Sequence, residues 1–572
     1  MVLTNRWWRL DQSGAWFPLA MAVVVGVKLI LVSDLSVLLQ QYGAHDDGLY
    51  VMRAYHLLTE GGFGQYDART LVKLPGISFW LAATRLLGIP YLWSINFLYI
   101  AAGCYLLAGA LQCGVTKPVA LAAFVIYLFS PITMGNEWLQ VMREPLSTGL
   151  LVLLFASALF ILLRLQARRF PIGHLAIFSI VFAFSLLLRE EDVVLYVVVL
   201  MLGVAAWWVA KRGGALGTTA MRAAVLSIVV IPLLAAAAAN AATRQFIEHH
   251  YGTPLLHDFS EGEFPKLIAA IRSIESKKDN RYVMITQERL AKLVVEVPRL
   301  GPVIKRLPAP GPGTSSCLRY KVCTEWGNGW MHFWIKDAAE QAGLTPELPK
   351  AQAFFRAARE DIEQACREGR LECDPAGSGL LPPFELKWTR AYVQEFFTLL
   401  GMTAAPHPRL AAEPPERHAV DADLARVFEF VTMAHDLGTA VHAKGEKSAI
   451  LRSTNPLASW RPAIGDVYRF LAPVLTLFIV VAFAVRIWLW KRIPPDPLAL
   501  IIAVFMGYTL VRLAALAYVA VYFGHFDDRL VFSTHSLLLL TGPFVIADAV
   551  AAVRIERKQR LEHGEKAPSP TV

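Results

Sequence analysis

The chain has 572 residues, of which 55% are apolar and only 18% charged, and its mean hydropathy is +0.44; a soluble globular protein carries about a quarter charged residues. The net charge of +9 does not point to nucleic acid, because the lysines and arginines cluster in short loops beside apolar runs, where membrane topology accounts for them. Zinc-finger spacing, a P-loop and a dinucleotide-binding glycine pattern are all missing from the sequence.

The chain opens basic and aromatic at Arg6-Trp7-Trp8-Arg9, and an apolar run from Trp16 to Val32 follows. That run is longer than the core of a signal peptide and no small-residue cleavage site follows it, which predicts a retained membrane helix. Further spans are predicted at 90–112, 117–135, 146–165, 171–188, 193–210 and 221–242, then at 466–489, 498–522 and 530–552. Each supplies about 20 residues at about 1.5 Å rise, enough to cross a ~30 Å hydrocarbon core. Residues 75–88 are apolar but short and read as a re-entrant or interfacial helix. The spans read as clean apolar runs with their charges gathered at the ends.

The expected fold class is therefore an α-helical polytopic membrane protein of about ten transmembrane helices with a mainly helical extracytoplasmic insertion. Residues 1–242 form the N-terminal membrane domain, with about seven helices and a first outer loop at 35–89. The insertion covers 243–463, the C-terminal membrane segment 464–553, and a basic tail 554–572. With both termini cytoplasmic, the inner loops hold Lys117, Arg164/Arg168/Arg169, Lys211/Arg212, Lys491/Arg492 and Arg554/Arg557/Lys558/Arg560, as the positive-inside rule demands of a plasma (inner) membrane protein. The opposite ends carry acidic or mixed clusters at His45-Asp46-Asp47, Glu137 with Arg143-Glu144, Arg189-Glu190-Glu191-Asp192 and His525-Phe526-Asp527-Asp528-Arg529.

Within the insertion, apolar residues recur at helical spacing over 354–365, while 298–312 and 406–415 are proline-rich and read as loops. Cys317, Cys323, Cys366 and Cys373 all fall there, and an oxidising compartment would allow two disulfides with three pairings open. A continuous helix would hold Cys366 and Cys373 about 10.5 Å apart, too far to bond. Gly369 is expected to end that helix, which keeps a local bridge available. Trp326, Trp330 and Trp334 recur at i, i+4, i+8 and read as a core stripe before a sugar-stacking face.

Chemistry is expected on the outer face. One carboxylate of Asp46-Asp47 could act as general base, its pKa raised by its neighbour; the plain alternative is a solvated helix end. Lys73 has the compact charge suited to a phosphate, with Arg143, Arg189 and Arg529 as further phosphate ligands. Glu144, Glu190, Asp527 and Asp528 would support them. His45 and His525 precede acidic pairs, so a divalent cation is an option if the two loops meet; no cofactor is otherwise called for.

Residues 45–76, with Asp46 or Asp47 and Lys73-Leu74-Pro75, resemble the first outer loop of the GT-C superfamily of membrane glycosyltransferases, which includes protein O-mannosyltransferases and the lipid A aminoarabinose transferase. The resemblance implies a catalytic base at Asp46 or Asp47 and carrier-phosphate contact at Lys73. In most enzymes of this type the soluble domain is C-terminal, whereas here three helices follow the insertion. Together with Arg143-Glu144, Arg189-Glu190-Glu191 and the 365–373 segment, the same loop resembles a narrower set of bacterial membrane proteins, a likeness that brings no activity with it. The expected function is transfer of a sugar from a polyprenyl-phosphate donor to an extracytoplasmic lipid, glycan or protein acceptor. The alternatives are a transporter or flippase and a non-catalytic envelope scaffold.

Overall fold

The computed structural model describes residues 16–39, 46–277, 280–283, 285–311, 317–318, 321–374, 384–406, 408, 422–434, 438–439, 455–524 and 528–562. The architecture is helical, and the structure shows the expected class of an α-helical polytopic membrane protein with a mainly helical insertion. Among the described residues, eight helical segments are long and apolar enough to cross a membrane, and the remaining two expected spans are present as shorter apolar helices at Trp16–Val32 and Ile172–Leu186.

The membrane body consists of α1 (Trp16–Val32), α2 (Asp46–Thr59), α3 (Gly76–Leu86), α4 (Tyr91–Gln112), α5 (Lys117–Leu128), α6 (Arg143–Gln166), α7 (Ile172–Leu186), α8 (Leu195–Arg212) and α9 (Thr219–Tyr251). Helix α6 is its axis: α4, α7, α8, α17 (Pro497–Phe523) and α18 (Phe532–Glu562) all pack on it. Lipid tails are as apolar as leucine, so such helices associate through close packing rather than hydrophobic expulsion, and small residues set the approach. A methyl group on Gly103 would meet the Tyr127 ring at 2.6 Å, and one on Gly109 would meet Leu159 at 2.7 Å. Tyr99 and Tyr127 stack at 4.0 Å and each phenol donates to the other's carbonyl at 2.9 Å. Helices α9 and α16 (Trp460–Trp488) lie at the periphery, exposing Leu226, Leu234, Phe470 and Leu477 where lipid chains would cover them.

The spans are not as clean as the sequence reading had them. Lys28 in α1 and Arg512 in α17 are fully buried inside apolar segments. A polar group there must find partners within the protein. Lys28 donates to Thr133, and Arg512 donates to Ser533 at 2.7 Å and to the Leu530 carbonyl at 3.0 Å.

The insertion has its own core, built from α10 (Glu263–Ser273), α11 (Gln287–Glu296), α12 (Asn328–Gln341) and α13 (Leu348–Arg367) around Phe264, Leu293, Ile335, Phe355 and Ile362. The expected 354–365 helix is the second half of α13, which buries Ala351, Phe355, Ala358, Ile362 and Ala365 at steps of three and four. At about 1.5 Å per residue, α9 is ~50 Å long and runs past residue 242 into the insertion. Residues 298–304, expected as loop, form helical turns, in which Pro298 and Pro302 occupy first-turn positions that need no N–H. The chain continues through α14 (Thr389–Ala404) and α15 (Ala422–Thr432), and α15 packs on α2 and α3. One short parallel pair joins Leu38–Leu39 to Gly438–Thr439.

Both disulfides are local, Cys317–Cys323 and Cys366–Cys373. Helix α13 stops at Arg367, Gly369 turns the chain at φ +72°, and Cys373 then pairs with Ile274 at the end of α10. The sulfurs thereby clasp α13 to α10. The tryptophan stripe is interrupted because α12 begins only at Asn328: Trp326 and Trp334 join the core, whereas Trp330 faces outward.

Candidate functional site

The stretch read as an outer loop is largely structured. Helix α2 starts at Asp46, which puts both aspartates in its first turn, where carboxylates offset the positive end of the helix dipole. Successive helical residues are ~100° apart, so the two face different ways. Asp46 keeps 27% of its side-chain surface exposed, whereas Asp47 is 1% exposed and accepts its bond from the Gly48 N–H at 2.8 Å. Of the two, Asp46 is the reachable carboxylate.

Residues 46, 50 and 53 follow one face of α2. Tyr50 and Arg53 are buried, and Arg53 donates to the Lys73 and Arg69 carbonyls, both at 3.0 Å. Burial lowers the Arg53 pKa to about 10, which leaves it charged at neutral pH. The segment carrying Lys73 is held from two further sides. His257 Nε2 bonds the Val72 carbonyl at 3.0 Å and the Asp258 N–H the Leu71 carbonyl at 2.9 Å. The Gly76 N–H bonds the Leu187 carbonyl at 2.8 Å, an approach so close that a Cβ on residue 76 would lie 2.6 Å from that oxygen. Lys73 Nζ is thereby delivered to Asp46 at 3.2 Å.

Around this ion pair the ends of three spans converge. Arg143, in the first turn of α6, pairs with Glu190, which opens the 3-10 turn ahead of α8. Arg529, just before α18, lies 3.9 Å from Glu144. His257, from the insertion, places Nε2 3.4 Å from Glu190 Oε1 and accepts from Ser260 through Nδ1 at 2.9 Å. Burial pushes the His257 pKa below its usual range against the opposing pull of Glu190, so the ring is neutral at pH 7.

The expected effect of the paired aspartates is reversed. Burial pushes Asp46 up, but Lys73, then Arg143 and Arg529, outweigh it and hold the carboxyl below the usual carboxylate range. Cations, not the neighbouring carboxylate, set its state. Of the expected phosphate ligands, Lys73, Arg143 and Arg529 all act electrostatically on Asp46. Arg189 belongs to the wall instead: fully buried, it pairs with Glu191 and donates to Ser147 at 3.1 Å. Glu144 and Glu190 are part of the cluster, and Asp528 stands one residue before Arg529 at its edge. His45, His525 and Asp527 lie outside the described residues, and with them the proposed meeting of two His-acid loops. Among the described residues, no group of three or more His, Cys, Asp or Glu side chains is arranged to hold a metal ion.

Sequence reading missed Tyr50, Arg53 and His257. The first two were signalled by their i+4 and i+7 spacing from Asp46. His257 carried no signal, being a lone histidine far along the chain in another domain.

With the site described, similarity to known structures can be stated. The chain is similar to solved structures of ArnT and of an archaeal oligosaccharyltransferase. ArnT from Cupriavidus metallidurans bound to undecaprenyl phosphate matches over 93% of this chain and 78% of its own, at 13% identity and a TM-score of 0.27. Its apo state matches over 92% and 77%, at 12% identity and a TM-score of 0.27. The apo oligosaccharyltransferase from Archaeoglobus fulgidus matches over 97% of this chain at 11% identity and a TM-score of 0.34, this chain spanning about half (53%) of its length. No family model matches the sequence, and no curated protein matches it. At such TM-scores no residue role is carried over, and the roles below rest on the geometry of this chain.

Proposed function

We propose that the protein is an integral inner-membrane glycosyltransferase that moves a sugar from a polyprenyl-phosphate donor to an extracytoplasmic acceptor, with both termini cytoplasmic and residues 243–463 outside. The observation that carries this reading is the Asp46–Lys73 pair at 3.2 Å, set among Arg143 and Arg529 where the ends of several spans meet. A carboxylate held ionised beside a cluster of cations suits a reaction with two charged ends: a proton to accept and a phosphate to release.

In the proposed step, the acceptor hydroxyl gives its proton to Asp46 while its oxygen bonds to the anomeric carbon. The bond from that carbon to the phosphate oxygen breaks, and the electron pair leaves with the lipid phosphate. Lys73, Arg143 and Arg529 stabilise that departing charge. Lys73 exchanges Asp46 for the phosphate when donor binds, which frees the carboxylate at the moment it is needed. The insertion supplies His257 to the site and the surface that would select the acceptor.

The test is lipid binding. In nanodiscs the protein should bind undecaprenyl phosphate, and Lys73→Met should weaken that binding by about 10–100-fold, the loss of one charge-assisted contact. Equal binding by wild type and Lys73→Met would remove the phosphate assignment.

A further inference from the structure

Three buried polar atoms at the site make no hydrogen bond: Arg53 Nε, whose two terminal nitrogens hold the Lys73 and Arg69 carbonyls, the Tyr50 hydroxyl and Glu190 Oε1. The Tyr50 phenol, on a side chain with no exposed surface, donates to nothing, and Glu190 Oε1 accepts nothing. The other Glu190 oxygen takes Arg143. His257 Nε2, 3.4 Å from Oε1, directs its proton to the Val72 carbonyl at 3.0 Å. His257 Nε2 links Glu190 Oε1 to the Val72 carbonyl, next to the Lys73 that pairs with Asp46 one helical turn before Tyr50 on α2, so donor and acceptor belong to one site. A buried donor or acceptor left unmet is costly to the fold. That cost is retained in a cluster whose partly exposed members are Asp46, Lys73 and Glu190.

Two of the unmet atoms, the Tyr50 hydroxyl and Glu190 Oε1, are complementary in kind. An ionised phosphate oxygen only accepts: it would satisfy Tyr50 and be repelled by Glu190. A hydroxyl both accepts and donates, and meets both needs at once. We propose that Tyr50 and Glu190 together receive a hydroxyl of the donor's sugar ring, Tyr50 donating to its oxygen and Glu190 Oε1 accepting its proton. They are the specificity-determining pair of the site. The assignment rests on the glycosyltransferase reading and adds to it a substrate class: a donor sugar with a free ring hydroxyl at the position that reaches this pair. Sites built to hydrogen-bond a hydroxyl reject analogues that lack it far more strongly than apolar pockets reject a missing methylene.

The experiment compares two kinds of probe on the full-length protein in nanodiscs, by quenching of tryptophan fluorescence. One is bare undecaprenyl phosphate; the other is a panel of undecaprenyl phosphates carrying hexoses, pentoses or amino sugars. Wild type should bind at least one sugar-bearing lipid about tenfold or more tighter than the bare lipid. Tyr50→Phe, which keeps the ring and its packing, should lose about tenfold of that preference, one neutral hydrogen bond, and bind bare lipid within about twofold of wild type. Glu190→Gln should lose the same preference. Two results would overturn the assignment while leaving the enzyme reading in place. One is a Tyr50→Phe variant that keeps the preference in full, which would mean water fills the gap; the other is a variant that weakens both probes equally, which would mean the phenol serves the phosphate or the fold. Failure of wild type to bind any probe, or to prefer any sugar-bearing lipid, would overturn the glycosyltransferase reading and this assignment with it.

Discussion

Asp46 and His332 show how burial and charge decide what single residues do. With Lys73, Arg143 and Arg529 holding its carboxyl below the usual range, Asp46 is ionised from neutral pH down through mild acid. Its folded pKa is depressed, so the stability it contributes is present above the unfolded value near 3.8 and is lost only as pH falls through the lower folded value. Turnover should therefore show no acid limb from Asp46 between pH 7 and about 5. Lys73→Gln removes the first of the cations that lower it, and its pH–rate profile should show that limb moved upward. An unmoved profile would mean the pair does not set the carboxyl's state. His332, in α12, is buried with Nε2 unbonded, and burial lowers its pKa from 6.5 to about 4. Between those values the unfolded chain binds the proton and the folded one does not, so acidification from pH 6.5 to 4 should cost stability. His332→Phe, whose ring can keep the stacking on Phe523, should flatten Tm against pH over that window. An unchanged slope would assign the acid sensitivity elsewhere.

At the scale of elements, the 60–76 segment is where three parts of the chain are tied together. Arg69 pairs with Asp337 of α12 at 2.6 Å, Ala68 N–H donates to Glu340 at 3.0 Å, and Gly76 presses on the Leu187 backbone. Gly76→Val should displace Lys73 and destabilise the fold by about 1–3 kcal/mol, the ordinary cost of overpacking. The check is Tm together with undecaprenyl phosphate affinity, and a variant matching wild type in both would show that the contact does not position the loop. The sequence announced elements unevenly. Apolar runs of about 20 residues declare a span directly, and the period of α13 was equally plain. Lys28 and Arg512 were visible too, but as single charges in long apolar runs they looked negligible; only the structure shows the hydroxyls and carbonyls that hold them. The helical nature of α2 was hidden, because Asp46-Asp47-Gly48 reads as a turn until Tyr50 and Arg53 are placed on the face below.

For the whole molecule, the site is a meeting of segments that sequence distance keeps apart. Asp46, Lys73, Arg143, Glu190 and Arg529 were legible as chemistry because they are charges gathered at the ends of spans. Their convergence was not legible, and neither was the contribution of His257, which ties the insertion to Glu190 and to the carbonyl beside Lys73. The Lys336–Asp258 ion pair, buried between α12 and the strand of chain that bears His257, fixes that contribution from behind. The insertion is thus built into the centre rather than appended to it, and acceptor choice and chemistry should respond together to changes at this junction. The measurement that bears most directly on the central claim is release of lipid phosphate from labelled polyprenyl-phosphate sugars by wild type and Asp46→Asn, in membranes that retain their envelope acceptors. Wild type should release it, and Asp46→Asn should be slower by about 10²–10⁴-fold, the worth of a general base, while still folding and still binding undecaprenyl phosphate at least as tightly as wild type, because Lys73 is no longer held by Asp46. Equal release by the two proteins would contradict the assignment of Asp46 as the base.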